Sequence, residues 1–398
     1  MNARSEIQKP SDAPSIPQTL LRSVMVLMAI HWIGLLAVTF RIMQAWSHEA
    51  AFRWLPPAAL VLAYAHFQFC YHLRLNHPPE NRRLNPSVGM ANQMTLARGW
   101  GISLIAGFIL LPEFESASSD SWAEWIPGII YLMVAGTDFL DGLWARITRS
   151  SSILGQKLDI EMDALGLLTA SILLVVWGRL PAVYLLVGAS YYLFQIGTHI
   201  RRRRGRTVSA LIERPFARVM AGIQMVFVGL ALLPIFAVPL LRIAALYFML
   251  PLLAGFVWDW LIIQERPAAK TKENIERVVG IVAAVLPVIM RSGVFLSSWS
   301  VAGALKGSGP DVIGGIWLFL SVMMVLGFLG RSAAIVAACL VAHSAVSIST
   351  PLLMVACSAC IVLIVTGTGA WSWWKPEDAF LSRRMGGSTT RSVHVQAG

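Results

Sequence analysis

Four aspartates that lie close together in the sequence are the residues best suited to chemistry. In the segment 138–163, Asp138 stands three residues before Asp141, and Asp159 stands four residues before Asp163. Residues three or four apart share one face of a helix, so each pair presents two carboxylates to the same side. A short polar loop makes the two helices antiparallel neighbours. The spacing therefore predicts one convergent cluster of four carboxylates.

Such a cluster requires cations. Four convergent carboxylates repel one another and would take up protons unless positive charge neutralises them. Hard oxygen ligands favour Mg²⁺ or Mn²⁺ over zinc. Two divalent ions in one carboxylate cluster suit phosphoryl chemistry, because they can stabilise both the attacking and the leaving oxygen. We therefore expect two Mg²⁺ or Mn²⁺ ions as the cofactor.

Small and basic residues surround the acids. Gly142 and Ala145 leave room on their helix for a flat base or a pyrophosphate, and Gly155 leaves a gap one turn before Asp159. Arg146 stands one turn after Gly142 and can pair with a phosphate. This set predicts a pocket for a nucleotide beside the acids.

The composition places these acids in a membrane protein. The chain has 398 residues, of which 56% are hydrophobic and 13% charged, whereas a soluble domain is about a quarter charged. Apolar runs close to the roughly 20 residues that span a bilayer recur along the whole sequence. We expect an all-α, polytopic helical membrane protein with about twelve transmembrane helices.

Composition also divides the chain into segments. Two spans precede a polar stretch, six spans follow it, and a charged linker separates these from four more. The Ser/Thr/Gly-rich end has a composition typical of disorder. The predicted segments are a two-span extension (1–78), a six-span catalytic core (79–266), a four-span module (267–376) and a disordered tail (377–398).

The net charge of +11 is explained by topology. Most Lys and Arg residues stand in short loops between apolar runs, which is the positive-inside pattern. A basic face also attracts anionic membrane lipids. We therefore expect no nucleic-acid partner. Both termini and the active site are predicted on the cytoplasmic face of the inner (plasma) membrane.

The acidic segment reads D-x-x-D-G-x-x-A-R, then eight residues, then G-x-x-x-D-x-x-x-D. This pattern resembles the signature of the CDP-alcohol phosphotransferase (CDP-alcohol phosphatidyltransferase) family at all eight fixed positions. The resemblance covers about residues 86–263 and implies a six-helix core. Upstream, residues 92–98 resemble the N-x-x-T-x-x-R element of the same family. The last four spans resemble DoxX-like four-helix membrane proteins through G-T-G at 367–369.

The resemblance implies roles for individual residues. Asp163 would be the general base that deprotonates the acceptor hydroxyl. The residues implied as metal ligands are Asp138, Asp141, Asp159 and Asp163. Those implied to bind CDP are Gly142, Ala145, Arg146, Gly155, Asn92, Thr95 and Arg98. Arg214 and Arg218 share a helix face, and either bind a phosphate of the acceptor or carry ordinary loop charge.

The predicted activity is transfer of a phosphatidyl group from CDP-diacylglycerol to a polar alcohol, with release of CMP, in phospholipid biosynthesis. An alternative is transfer of a phosphoalcohol from a CDP-alcohol to a lipid hydroxyl. Interpretations of another class are a non-catalytic transporter or scaffold, a prenyltransferase with Asp-rich helix ends, or acids that only form salt bridges with Arg146, Arg149 and Lys157. Family members often pair as homodimers, so a homodimer is a further expectation.

Overall fold

The structure is a computed structural model that describes part of the chain. It covers residues 16–78, 84–111, 121–147, 152–208, 215–236, 238–264, 287–299, 301–303 and 311–343, with short pieces between 356 and 373. Within helices, only the backbone is described for residues 121–122, 138–147, 215–220, 247, 251, 311 and 342–343.

Every long element among the described residues is an α-helix, and this part of the chain contains no β-strand. The predicted all-α class is therefore confirmed. The helices of the first 263 residues are α1 (Gln18–Ala45), α2 (His48–His72), α3 (Met90–Ala106), α4 (Ile126–Ile147), α5 (Ile153–Val176), α6 (Leu185–Arg203), α7 (Pro215–Leu232) and α8 (Val238–Ile263). Further helices follow at Asp311–Leu326 and Gly330–His343.

Local sequence explains where several of these helices begin and end. The Ser47 hydroxyl accepts the N–H of Ala50 at 3.0 Å at the start of α2, as N-cap residues do. Ser152 caps α5 in the same way and accepts the N–H of Gly155 at 3.0 Å. At the other end of a helix, α6 closes on the basic run 201–203, which complements the negative end of the helix dipole.

Three of the described helices are long and apolar enough to cross a membrane: Gln18–Ala45, Met90–Leu110 and Val238–Ile263. They differ in how much of the apolar stretch is covered by the rest of the protein. Only 11% of this stretch is buried in α1, against 61% in the segment that contains α3. Thus α1 presents apolar side chains outwards, as a helix facing lipid does, whereas α3 lies inside its bundle. About twelve spans and a six-helix core remain predictions.

The chain divides into two compact units, Met1–Leu173 and Leu174–Gly398. In the first unit, α3 packs against both α2 and α4. Gly99 makes this packing close, since a Cβ added there would lie 3.0 Å from Ala65 of α2 and 3.0 Å from Met162 of α5. The unit therefore surrounds α3 with other helices. The predicted segment boundaries at 78 and 266 stay predictions.

The first two helices attach to α3 through a polar and aromatic contact. Nδ1 of His31 lies 3.2 Å from Nε2 of His66, and their rings stack with centroids 5.5 Å apart. The Trp100 indole of α3 donates a hydrogen bond to the His31 carbonyl at 3.0 Å. The helices of the predicted two-span extension therefore form part of the wall around α3.

The second unit has its own buried polar centre. The Tyr184 hydroxyl and Oε1 of Gln224 are 2.5 Å apart, and the amide of Gln224 donates to the Phe248 carbonyl of α8. Arg179 donates to the carbonyls of Ala231 and Leu233 at 2.8 and 3.0 Å. These bonds satisfy carbonyl groups at the end of α7, where a helix leaves its last carbonyls without intrahelical partners.

The contact between Trp54 and Gly107 provides a test of this packing. The Trp54 indole is fully buried, and a Cβ at Gly107 would overlap its ring. We expect Gly107→Ala to lower the stability of the folded protein by about 1–3 kcal/mol, because an overpacked core must shift. Thermal unfolding of the purified protein in detergent measures this.

The matched control is Gly136→Ala on α4, where an added Cβ meets nothing within 4 Å. It should leave the unfolding temperature unchanged or raise it slightly, since alanine favours a helix over glycine. Equal unfolding temperatures for the two variants would contradict the packing described for Trp54.

Candidate active site

Helices α3 and α5 lie side by side and run in the same direction. Asn92, at the start of α3, is next to Gly155 at the start of α5. Ten residues further along α3, Ile102 lies against Gly166 of α5. Because the contacts advance in the same order along both helices, the upstream N-x-x-T-x-x-R element and the second half of the acidic signature face each other.

An ion-pair contact joins these two elements. Nη1 of Arg98 lies 2.5 Å from Oδ1 of Asp159, and Nη2 of the same guanidinium pairs with Oδ1 of Asp163. The two acids are one turn apart on α5, so a single planar guanidinium spans both. Their convergence, which the spacing predicts, is present for this pair. The cation of this contact comes from α3, 61 and 65 residues before the acids in the sequence.

Burial is uneven across this contact. The Arg98 side chain is 3% exposed, whereas those of Asp159 and Asp163 are 43% and 30% exposed. The positive group is thus enclosed within the helix bundle, and the carboxylates are open on another side. Two carboxyl groups that share one cation and remain accessible are a donor set that fits Mg²⁺ or Mn²⁺.

The other pair of predicted ligands lies outside this description. Asp138 and Asp141 belong to α4, where the structure describes the helical backbone and not the side chains. Among the side chains that are described, no group of three or more His, Cys, Asp or Glu residues is placed to hold a metal ion. The predicted four-acid, two-metal centre therefore stays a prediction.

A buried network supports the start of α5. The Asn92 amide donates to Oδ1 of Asn76 at 3.2 Å and accepts from the Ser152 hydroxyl at 3.1 Å. Asn76 is fully buried, and its own amide donates to the Ser87 carbonyl at 3.0 Å. These bonds tie the segment that precedes α3 to the first turn of α5, two turns before Asp163.

Gly155 belongs to the same network. A Cβ at this position would lie 2.6 Å from Oδ1 of Asn92 and 3.3 Å from the Ser152 hydroxyl. The absence of a side chain therefore lets α3 approach α5. The structure thus gives Gly155 and Asn92 a packing role, and their predicted contact with CDP stays a prediction.

The remaining predicted site residues are placed as follows. Thr95 is buried on α3, and its hydroxyl donates to the Ala91 carbonyl at 3.1 Å. Arg218 stands on α7 with its backbone described and not its side chain, and Arg214 lies outside the described residues. Three predicted CDP contacts belong to α4, where side chains are not described: Gly142, Ala145 and Arg146.

Sequence reasoning missed three residues of this region. Ser152 stands directly before an apolar-periodic helix, and this N-cap signal could have been found. Asn76 carries no local signal, because its partners are 11 and 16 residues away. Tyr131 of α4 is 3% exposed and lies close enough to Asp163 and Arg98 to interact with both electrostatically. It helps to enclose the acid pair.

Comparison with known proteins finds sequence matches to the segment that contains these residues. Residues 88–258 match the family model described as CDP-alcohol phosphatidyltransferase. A curated relative is the protein named cardiolipin synthase (CMP-forming) of Streptomyces coelicolor, at 35% identity over 118 residues. The match covers 29% of this chain and 52% of the relative, so the chain spans about half the length of that protein. No solved structure matches the chain.

The matched residues contain the helices α3 to α7, most of α8, and the paired Arg98, Asp159 and Asp163. Residues 88–258 are therefore similar to the CDP-alcohol phosphatidyltransferase family, the family whose signature the sequence resembles. This is a membrane-associated family, and together with the three apolar helices it makes the chain a membrane protein. The DoxX-like resemblance of the last four spans stays a prediction.

The contact between Gly155 and Asn92 can be tested by a double-mutant cycle. We expect Gly155→Ala to destabilise the protein by about 1–3 kcal/mol, because the new methyl group displaces the Asn92 amide. Combined with Asn92→Ala, which removes that amide, the double variant should lose less than the sum of the single losses, by about 0.5–3 kcal/mol. Thermal or denaturant unfolding in detergent provides the four values. Additive losses would mean that Gly155 does not act through Asn92.

Proposed function

We propose that this protein is an integral membrane transferase that moves a phosphatidyl group from CDP-diacylglycerol to a polar alcohol and releases CMP. The observation that carries the proposal is the convergence of Asp159 and Asp163 on one buried guanidinium, inside the segment that matches the family model. Acidic residues within a membrane helix bundle are energetically costly, and those that occur there usually have a function.

The chain's own residues supply a proton acceptor and a surface for the nucleotide. A hydroxyl gives up its proton only to a positioned base, and we assign this role to Asp163, whose carboxylate is 30% exposed. The acceptor O–H proton passes to that carboxylate as the oxygen attacks the phosphorus of the phosphatidyl group. A new P–O bond forms, the P–O bond to CMP breaks, and CMP leaves with the bonding electrons.

Asp159 and Asp163, with Asp138 and Asp141 of α4, would hold the divalent ions. Bound there, Mg²⁺ or Mn²⁺ would offset the negative charge of the pyrophosphate and of the departing CMP. Gly142, Ala145 and Arg146 would line the nucleotide pocket with Thr95, and Arg214 and Arg218 would bind a phosphate of the acceptor. The active site and both termini would face the cytoplasm from the inner membrane.

The acceptor that we would test first follows from the relative's name. Cardiolipin carries two phosphatidyl groups on one glycerol, so its formation with release of CMP needs phosphatidylglycerol as the acceptor alcohol. This chain is similar to half of that relative. We therefore place phosphatidylglycerol first, ahead of glycerol 3-phosphate and inositol phosphate. Transfer of a phosphoalcohol from CDP-choline or CDP-ethanolamine to diacylglycerol is the alternative reaction.

A direct assay separates these reactions. The purified protein, reconstituted with Mn²⁺ and CDP-diacylglycerol, should release CMP when the correct acceptor is present, and mass spectrometry of the lipid product identifies that acceptor. Release of CMP only from a CDP-alcohol with diacylglycerol would establish the alternative. Failure to bind either CDP or Mn²⁺ would favour a transporter or scaffold. Lipid analysis of a deletion strain would identify the missing product independently.

The base assignment is tested by Asp163→Asn. The amide keeps the size of the side chain but cannot accept the proton, so CMP release should fall by about 10²- to 10⁴-fold, the usual contribution of a general base. The unfolding temperature and the elution volume of the variant establish that it is folded.

The control is Glu49→Gln on α2. Glu49 pairs with Arg53 at 2.6 Å, but this pair is exposed, at 72% and 40%, and exposed pairs contribute little to stability. Its CMP release should match the wild type. Near-normal turnover by Asp163→Asn would remove the base role from this residue.

A further inference from the structure

We propose that Arg98 is a resident counter-cation: it holds Asp159 and Asp163 together before a divalent ion binds, and competes with that ion for the two carboxylates. This inference rests on the proposed function, since it concerns the acids assigned to metal binding. It gives Arg98 a positioning role in addition to its predicted contact with CDP.

Arg98 bridges the two acids. The two guanidinium nitrogens pair with one oxygen on each acid, so Arg98 joins two carboxylates rather than gripping one. The planar fork of arginine suits such a bridge, whereas the single ammonium of lysine acts as a point charge. Removing Arg98 would leave two like charges one helical turn apart, and they would repel each other.

The burial of Arg98 is the second observation that supports the proposal. Arg98 is 3% exposed, and a charged group so deeply enclosed remains favourable only while it is paired. Asp159 and Asp163 are accessible from their other side. An ion that enters from this side therefore meets carboxylates that already interact with a fixed positive charge inside the bundle.

The balance of charge at the two acids explains why Arg98 and a divalent ion compete. The acid pair carries two negative charges. One guanidinium neutralises one of them, whereas one divalent ion neutralises both. Two cations at the same carboxylates repel each other, and this repulsion is greater beside a buried group such as Arg98 than in bulk water. The affinity for the divalent ion is therefore set partly by how easily Arg98 gives up the acids.

The same exchange would serve the proposed reaction. Asp163 can accept a proton from the acceptor only when its carboxylate faces the hydroxyl instead of the guanidinium. An Arg98 that has given up the acids needs another anionic partner, and a pyrophosphate group suits the guanidinium fork. This links the ion pair to the predicted contact between Arg98 and the nucleotide.

The test measures Mn²⁺ affinity in the nucleotide-free protein, by electron paramagnetic resonance of free Mn²⁺ during titration in detergent micelles. Arg98→Met removes the charge and keeps an apolar stem. If Arg98 competes with the ion, the variant should bind Mn²⁺ about tenfold more tightly than the wild type. It should also gain more thermal stability from Mn²⁺ than the wild type does, since a ligand stabilises the state that binds it.

Two further variants complete the design. Arg179→Met makes the same substitution at a guanidinium that donates to backbone carbonyls of the second unit, and its Mn²⁺ affinity should equal that of the wild type. Arg98→Lys keeps one charge but cannot span both acids, so its affinity should lie between those of the wild type and Arg98→Met. If Arg98→Met does not fold, the lysine variant decides the question.

A purely structural role for Arg98 predicts the opposite sign. If the residue only arranges the acids, its removal should weaken Mn²⁺ binding or leave it unchanged, and either result overturns the proposal. A wild type that binds Mn²⁺ and releases CMP while the Arg98 variants show no tighter binding refutes the counter-cation alone. A wild type that binds neither Mn²⁺ nor CDP refutes the proposed function as well.

Discussion

The structure of the first unit depends on one buried charge. The Arg98 guanidinium is enclosed between α3 and α5, and it remains there because Asp159 and Asp163 pair with it. Removing one partner from a buried pair typically costs about 3–5 kcal/mol. The loss of either acid should cost less here, because each carboxylate is partly in contact with solvent. The same contact therefore joins two helices and holds two acids side by side.

That ion pair requires a close approach of α3 and α5. Gly155 permits it at the helix starts, where the Asn92 amide occupies the space of a side chain. Gly99 of α3 also permits it, because this glycine fits between α2 and α5. Its neighbour on α5, Met162, is one helical turn from Asp159. Helices in membranes commonly approach through small residues, since lipid provides little hydrophobic force to drive them together. The first two helices cover α3 further through His31, His66 and Trp100.

Much of the helical architecture could be predicted. Long apolar runs in a bilayer can satisfy their backbone only as helices, so the all-α class and a membrane location followed from composition. The exact helix starts were less accessible, because they depend on short-range capping such as that of Ser152 on α5. Composition could not distinguish the outward-facing α1 from the enclosed α3, since both are apolar and only packing separates them.

The sequence by itself determined that Asp159 and Asp163 lie on one side of their helix, and it predicted the other residues of the site. The spacing of the two acids places both on one helix face wherever that helix lies, and the eight-position signature pointed to the family whose model matches residues 88–258. Only the tertiary structure decided which cation these acids meet. Arg98 is 61 and 65 residues away from them, and a pairing over that distance depends on how α3 docks against α5. Local periodicity constrains the face of one helix, whereas contacts between helices arise from packing that no single segment encodes.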